Sequence, residues 1–285
     1  MDNPKAKIAI FLVLTIALSA IFWVAIMRAG TVMAGGGMYT LGAMWCPGIA
    51  AILTRLITQR NLRGMGWVPR TPRLLGAAYI IPFLYALPVY LFVWGTGLGG
   101  FDPGRWAVRP GEAPVAGILL ILTLGAIKSL MSATGEEIGW RGLLVPELAK
   151  ITSFRNTALI SGLVWGSWHM PLVLGADYHG KGTPLLFSIV CFMVMAVGVS
   201  CIMAWLVLKA RSFWPAALLH AMHNLFIQAI FDGATVERAS TSRWIGEFGA
   251  GLAVTTAIAG FLVLRASRAR GGDPIAKSAA EPALT

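Results

Sequence analysis

The run Gly135-Glu136-Glu137-Ile138-Gly139-Trp140-Arg141-Gly142 sets two carboxylates and a guanidinium inside an otherwise apolar stretch. On a helix, Glu137 and Arg141 are four residues apart, share a face and can form an ion pair. Glu136 is turned about 100° from Glu137 and is free to point elsewhere. With one carboxylate neutralised by Arg141, the other would be held in a poorly solvated site, where it could act as a general base. The plainer alternative is a helix end carrying two solvated acids and a salt bridge. Two more apolar runs carry histidine: Trp165-Gly-Ser-Trp-His169 and His220-Ala-Met-His-Asn224.

His169 lies among aromatic residues, deep in an apolar segment, and Pro171 just after it predicts a kink that opens polar backbone. A carboxylate and an imidazole flanking one water can share its proton as that water attacks a carbonyl, and Glu136 is the partner expected for His169. His220 and Asn224, also four apart, can aim donors at one point, as a pocket for a developing oxyanion requires. Interhelical hydrogen bonding is the ordinary alternative for such a pair. His223 points elsewhere and reads as structural, while Asp177, Tyr178 and His179 fall in a loop and look dispensable. The chain has no His-Glu-x-x-His zinc motif, and Ser167 faces away from His169 on a helix, so no local Ser–His pair forms. No metal or cofactor is expected. A metal-dependent hydrolase with His169 and Glu136 as ligands remains the alternative.

These segments must be positioned by a membrane fold. Hydrophobic residues make up 57% of the 285 positions, charged residues only 12%, and the mean hydropathy is +0.73; a soluble domain carries about 25% charged residues. An ionised carboxylate in lipid costs a few kcal/mol even on lenient scales, which makes Glu136 and Glu137 functional candidates by default. The net charge of +11 does not point to nucleic acid, because the basic residues lie in short loops between apolar spans and form no aromatic-interleaved patch. The buried-type Cys46, Cys191 and Cys201 are odd in number and show no metal spacing.

Spans near the bilayer-crossing length of about 20 residues are expected at Lys7–Met27, Met38–Ile57, Leu74–Trp94, Ala113–Met131, Asn156–Leu174, Pro184–Leu208, Phe213–Phe231 and Gly246–Leu264. The fold class is therefore all-α: a polytopic bundle of about eight transmembrane helices, forming one membrane-embedded domain over residues 1–270. A polar, disordered tail is expected over 271–285. The first run exceeds the core of a signal peptide and reads as a retained helix. Loop cations alternate fifteen against six, which places both termini in the cytoplasm. No internal repeat is visible.

Taken together, Glu136-Glu137-x-x-x-Arg141, Trp165-x-x-x-His169 and His220-x-x-x-Asn224 resemble, in order and separation, the motifs of the CPBP family. These are the CAAX prenyl proteases and bacteriocin-processing (Abi-like) enzymes, known as intramembrane glutamic endopeptidases. Met44-Trp-Cys-Pro-Gly-Ile-Ala-Ala-Ile-Leu-Thr-Arg55 also looks like the second helix of bacterial members, and the likeness covers roughly residues 40–230. The resemblance implies a bacterial cytoplasmic-membrane peptidase in which Glu136 and His169 activate water. His220 and Asn224 would form the oxyanion hole, and Glu137 and Arg141 would be supporting. Its partners would be the lipid bilayer and a peptide or membrane-protein substrate, with or without a prenyl group, and not nucleic acid. Trp165 departs from the family's usual Phe, a change expected to alter packing rather than chemistry. Lys128 is a further departure that could tune Glu136 or merely snorkel. The rival class is a non-enzymatic membrane protein, for immunity or transport, using the same polar residues as struts.

The expected boundaries conflict in one place. Glu136 falls beyond the end of the fourth span, whereas His169 lies about 20 Å into the fifth at 1.5 Å per residue. A longer fourth helix, carrying Glu136 into the bilayer with Leu143, Leu144 and Val145, reconciles them.

Overall fold

The computed structural model describes residues 3–269, so the tail expected from Gly271 lies outside the described residues. The helices are α1 (Pro4–Ala29), α2 (Met38–Gln59), α3 (Pro72–Gly95), α4 (Val115–Ala149), α5 (Phe154–Gly175) and α6 (Leu185–Ala210). α7 is Trp214–His223 continuing as the wider π turns of Asn224–Phe231, and α8 is Ala250–Ala269. Among the described residues, seven of these are long and apolar enough to cross a membrane. α7, which carries His220, His223, Asn224 and Gln228, is the remaining one. Local chemistry sets the ends: Asn3 accepts from the amides of Lys5 and Ala6 with Pro4 opening α1, and left-handed Gly30 closes it.

The fourth helix departs from the expected Ala113–Met131. Its helical path extends over 35 residues, to Ala149, and so carries Glu136 and Glu137 within the bundle. Two π segments, Ile121–Gly125 and Trp140–Leu144, widen it. The polar look of Ser129 to Gly142 hides a close helix contact. Gly135 and Gly139 share one face of α4 and meet α2 directly: a Cβ on Gly135 would lie 2.7 Å from the Trp45 ring, and one on Gly139 2.6 Å from Pro47. Gly48 of α2 in turn faces the Gly135 carbonyl, where a Cβ would come within 2.5 Å. Small residues let membrane helices approach this closely. With that face committed to α2, the flanking acids project toward α5 and α7.

The far end of α4 is fixed by charge. Glu147 is fully buried and receives Arg55 Nη2 at 3.2 Å, Lys7 Nζ at 3.9 Å and Lys150 Nζ at 2.9 Å, tying α1, α2 and α4 together. α5 and α8 both pack on α6, and α7 lies between α3, α4 and α6. Over one end, Gly100–Phe101 pairs antiparallel with Thr235–Val236, a two-stranded clasp linking the segments that follow α3 and α7.

Candidate active site

Glu137 is bonded to two side chains through one oxygen. Arg141 Nη1 donates to its Oε1 at 2.9 Å, the contact expected from their spacing, and His220 Nδ1 lies 2.9 Å from the same oxygen. Arg141 also donates through Nη2 to Ser200 Oγ on α6 at 2.7 Å, and its guanidinium sits 4.6 Å over the Trp165 ring. Three helices therefore converge on one fully buried ion pair.

Glu136 is held differently. Its Oε2 accepts from the Trp165 indole N–H at 2.8 Å, and its Oε1 accepts no hydrogen bond among the described residues. The departure from Phe at this position thus reaches the carboxylate itself, because only an indole can donate there. Trp165 also touches both histidines: its ring centroid lies 5.6 Å from that of His169 and 5.4 Å from that of His220. His169 Nδ1 is 2.9 Å from the Trp165 carbonyl. A carbonyl only accepts, so Nδ1 carries the proton there and Nε2 is left for other work. Rings of Trp168, Tyr178 and Phe192 complete the enclosure of His169.

The remaining candidates divide clearly. Asn224 is half-buried at the start of the π turns of α7, and its amide has no hydrogen-bond partner among the described residues. Lys128 and Ser167 are exposed, which leaves neither Lys128 tuning Glu136 nor a serine mechanism any support in the geometry. Asp177 and Tyr178, expected to be dispensable, are both tied into the fold. Asp177 accepts from Thr31 Oγ1 at 2.9 Å and from the Val32 amide at 2.8 Å. Tyr178 donates to Glu247 Oε2 at 2.8 Å while its ring packs 6.0 Å from His169. His223 bonds Tyr85 and Glu247. Sequence reasoning passed over Glu247; a lone acid just before an apolar run was its only signal.

Glu136, Glu137 and His220 bring ligand-capable atoms within 4.8 Å of one another, a spacing that a metal ion would accept. The set differs from the expected His169–Glu136 pair. A divalent cation would also have to share Glu137 with a guanidinium 2.9 Å away, so the donor set fits a polarised water better than a dication.

Residues 115–226 match the family described as Type II CAAX prenyl endopeptidase Rce1-like, a segment that contains all six residues from Glu136 to Asn224 singled out above. A second likeness is to CAAX prenyl protease 2 of Methanococcus maripaludis, 30% identical over 101 residues; the match covers 34% of this chain and 36% of that protein. The chain thus spans about a third of the length of the curated relative it matches. Over residues 115–226 the chain is thus similar to the Rce1-like CAAX prenyl endopeptidases, the family grouping that its motifs resemble.

Proposed function

We propose that this chain is an intramembrane endopeptidase that hydrolyses a peptide bond by direct attack of water. One observation carries the reading: Trp165 bonds Glu136 and packs on both His169 and His220, so three of the four proposed catalytic side chains surround one indole. Glu136, with Oε1 uncommitted, takes a proton from the water, and His169 Nε2 shares that transfer. The water oxygen forms its bond to the scissile carbonyl carbon while the carbonyl electrons move onto oxygen. His220, anchored through Nδ1 to Glu137, presents Nε2–H as an imidazolium, and the Asn224 amide is a second donor to that oxyanion. The proton held by Glu136 and His169 then passes to the leaving amine as the C–N bond breaks. Glu137 and Arg141 orient His220 and remain outside the bond changes.

The name of the archaeal relative, together with the family match, directs the substrate test to a carboxyl-terminal peptide bearing a prenylated cysteine. Both termini lie on the cytoplasmic side in this reading, as the cation asymmetry implies. Purified protein in detergent, incubated with prenylated and unprenylated peptides, should release the terminal fragment. Glu136→Gln and His169→Ala should each abolish release while retaining the wild-type melting profile. Full activity in either variant would overturn the mechanism. A chelator should leave the rate unchanged; loss that zinc restores would replace water activation by Glu136 with a metal mechanism at Glu136, Glu137 and His220.

A further inference from the structure

Glu247 lies in the segment between the β clasp and α8, outside the matched residues 115–226, and its side chain is only 11% exposed. Its two oxygens reach different parts of the molecule. Oε2 accepts from the Tyr178 hydroxyl at 2.8 Å, and Oε1 lies 3.3 Å from His223 Nε2. His223 is in turn bonded through Nδ1 to the Tyr85 hydroxyl of α3 at 2.5 Å. At one end of this chain, Tyr178 lies against His169 with ring centroids 6.0 Å apart. At the other, His223 immediately precedes Asn224. Phe248 strengthens the same contact: it stacks on Phe192 at 5.1 Å and meets Tyr178 edge-on at 5.1 Å, and Phe192 packs on His169 at 5.1 Å.

We propose that Glu247 is a positioning residue, a carboxylate that holds Tyr178 over His169 and fixes the turn of α7 bearing Asn224, so that the water-activating and oxyanion-binding halves of the site keep one register. The proposal rests on the peptidase reading above for its catalytic consequence, but the tether itself is a matter of geometry. Burial pushes the Glu247 carboxyl upward, yet its bonds to His223 and Tyr178 and the His223 charge hold it down at about 2, so it is ionised throughout the working range. An ionised acceptor forms the stronger kind of hydrogen bond. A buried carboxylate with two such partners is costly to leave unpaired, which makes the arrangement specific. Catalysis is sensitive to the register it protects, because displacements near 1 Å of a catalytic group cost large factors in rate.

The test reads His169 directly, without substrate. Full-length protein in detergent is treated with diethylpyrocarbonate, and modification of His169 is followed by peptide mass mapping. In Glu247→Ala the untethered Tyr178 should uncover His169 and raise its modification rate several-fold. In the peptide assay the same variant should lose kcat roughly 10- to 100-fold, the factor expected for a lost hydrogen bond to a charged group, with KM changed by less than about twofold. Glu247→Gln, which keeps an acceptor for Tyr178, should recover most of both effects. Should Glu247→Ala fail to fold, Tyr178→Phe removes only the hydroxyl and carries the same two readouts. Unchanged His169 modification in these variants would overturn the tether. An equal rise in KM and fall in kcat, without recovery by Gln, would reduce Glu247 to general stability and overturn its positioning role. Failure of the peptidase reading is a separate result: wild-type cleavage by Glu136→Gln, whatever His169 reports.

Discussion

Replacing Arg141 by Met tests whether the buried ion pair is a support that the site cannot lose. Arg141 and Glu137 are both fully buried and share a 2.9 Å contact. The substitution would remove that contact, the 2.7 Å bond to Ser200 and the charge over Trp165. Glu137 would keep only His220, since its Oε2 already lacks a hydrogen-bond partner among the described residues. Stranding a buried charge in this way costs about 3–5 kcal/mol. For a chain of this size each kcal/mol moves the melting midpoint by roughly 2–4 °C, so Arg141→Met should melt roughly 6–20 °C below wild type in detergent. The decisive comparison is the double variant Glu137→Gln/Arg141→Met. Removing both charges eliminates the stranded carboxylate, and replacing whole buried pairs is often neutral, so the double variant should melt well above Arg141→Met. It should nevertheless cleave poorly, because His220 would lose the carboxylate that orients it. An Arg141→Met midpoint within about 2 °C of wild type, or a double variant no more stable than the single, would refute the reasoning.

Two further outcomes follow from other parts of the fold. Gly139→Ala would place a Cβ 2.6 Å from Pro47, and overpacking of this kind costs about 1–3 kcal/mol; the variant should melt lower and lose activity together, since the shift of α4 off α2 moves Glu136, and unchanged melting would contradict the packing argument. Asp232, in the loop after α7, accepts from the Tyr90 hydroxyl at 2.6 Å, and burial, with the charges of Glu247 and Glu237, raises its carboxyl from 3.8 to about 7. The folded state therefore holds that proton longer than the unfolded chain, and stability falls as pH rises from about 4 through about 7. Asp232→Asn should accordingly melt above wild type near pH 8, with a ceiling of about 4 kcal/mol for roughly three pKa units, and the gap should close below about pH 4; a gap independent of pH would show that the carboxyl is not the cause.

Hydropathy located α1 to α8 among the described residues, because a bilayer leaves helices as the plausible way for an apolar chain to satisfy its backbone. The i, i+4 rule likewise sufficed for the Glu137–Arg141 contact. The end of α4 was less legible. Ser129 to Gly142 looks like an exit from the membrane until Gly135 and Gly139 are seen as a face for α2, a relation between residues about ninety positions apart. Trp165 and Tyr178 were misjudged for a related reason. Their roles lie in which distant acid receives the indole N–H or the phenol O–H, and no spacing within a single segment encodes a partner 29 or 69 residues away.

The two adjacent acids can be told apart by what surrounds them rather than by their place in a motif. Glu137 faces a guanidinium and an imidazole on a single oxygen; its other oxygen has no hydrogen-bond partner among the described residues, but protonating the carboxylate would strand Arg141. Glu136 faces one neutral donor, the Trp165 indole, and keeps Oε1 uncommitted. A group that must gain and lose a proton in each turnover has to do so without collapsing its surroundings. Neutral anchoring meets that requirement, whereas a cation-locked carboxylate does not. On the proposed mechanism the same logic places the ion pair directly beside the acid that exchanges the proton: α4 can offer only one side chain per 100° of turn, and consecutive residues aim Glu137 at α7 and Glu136 at α5.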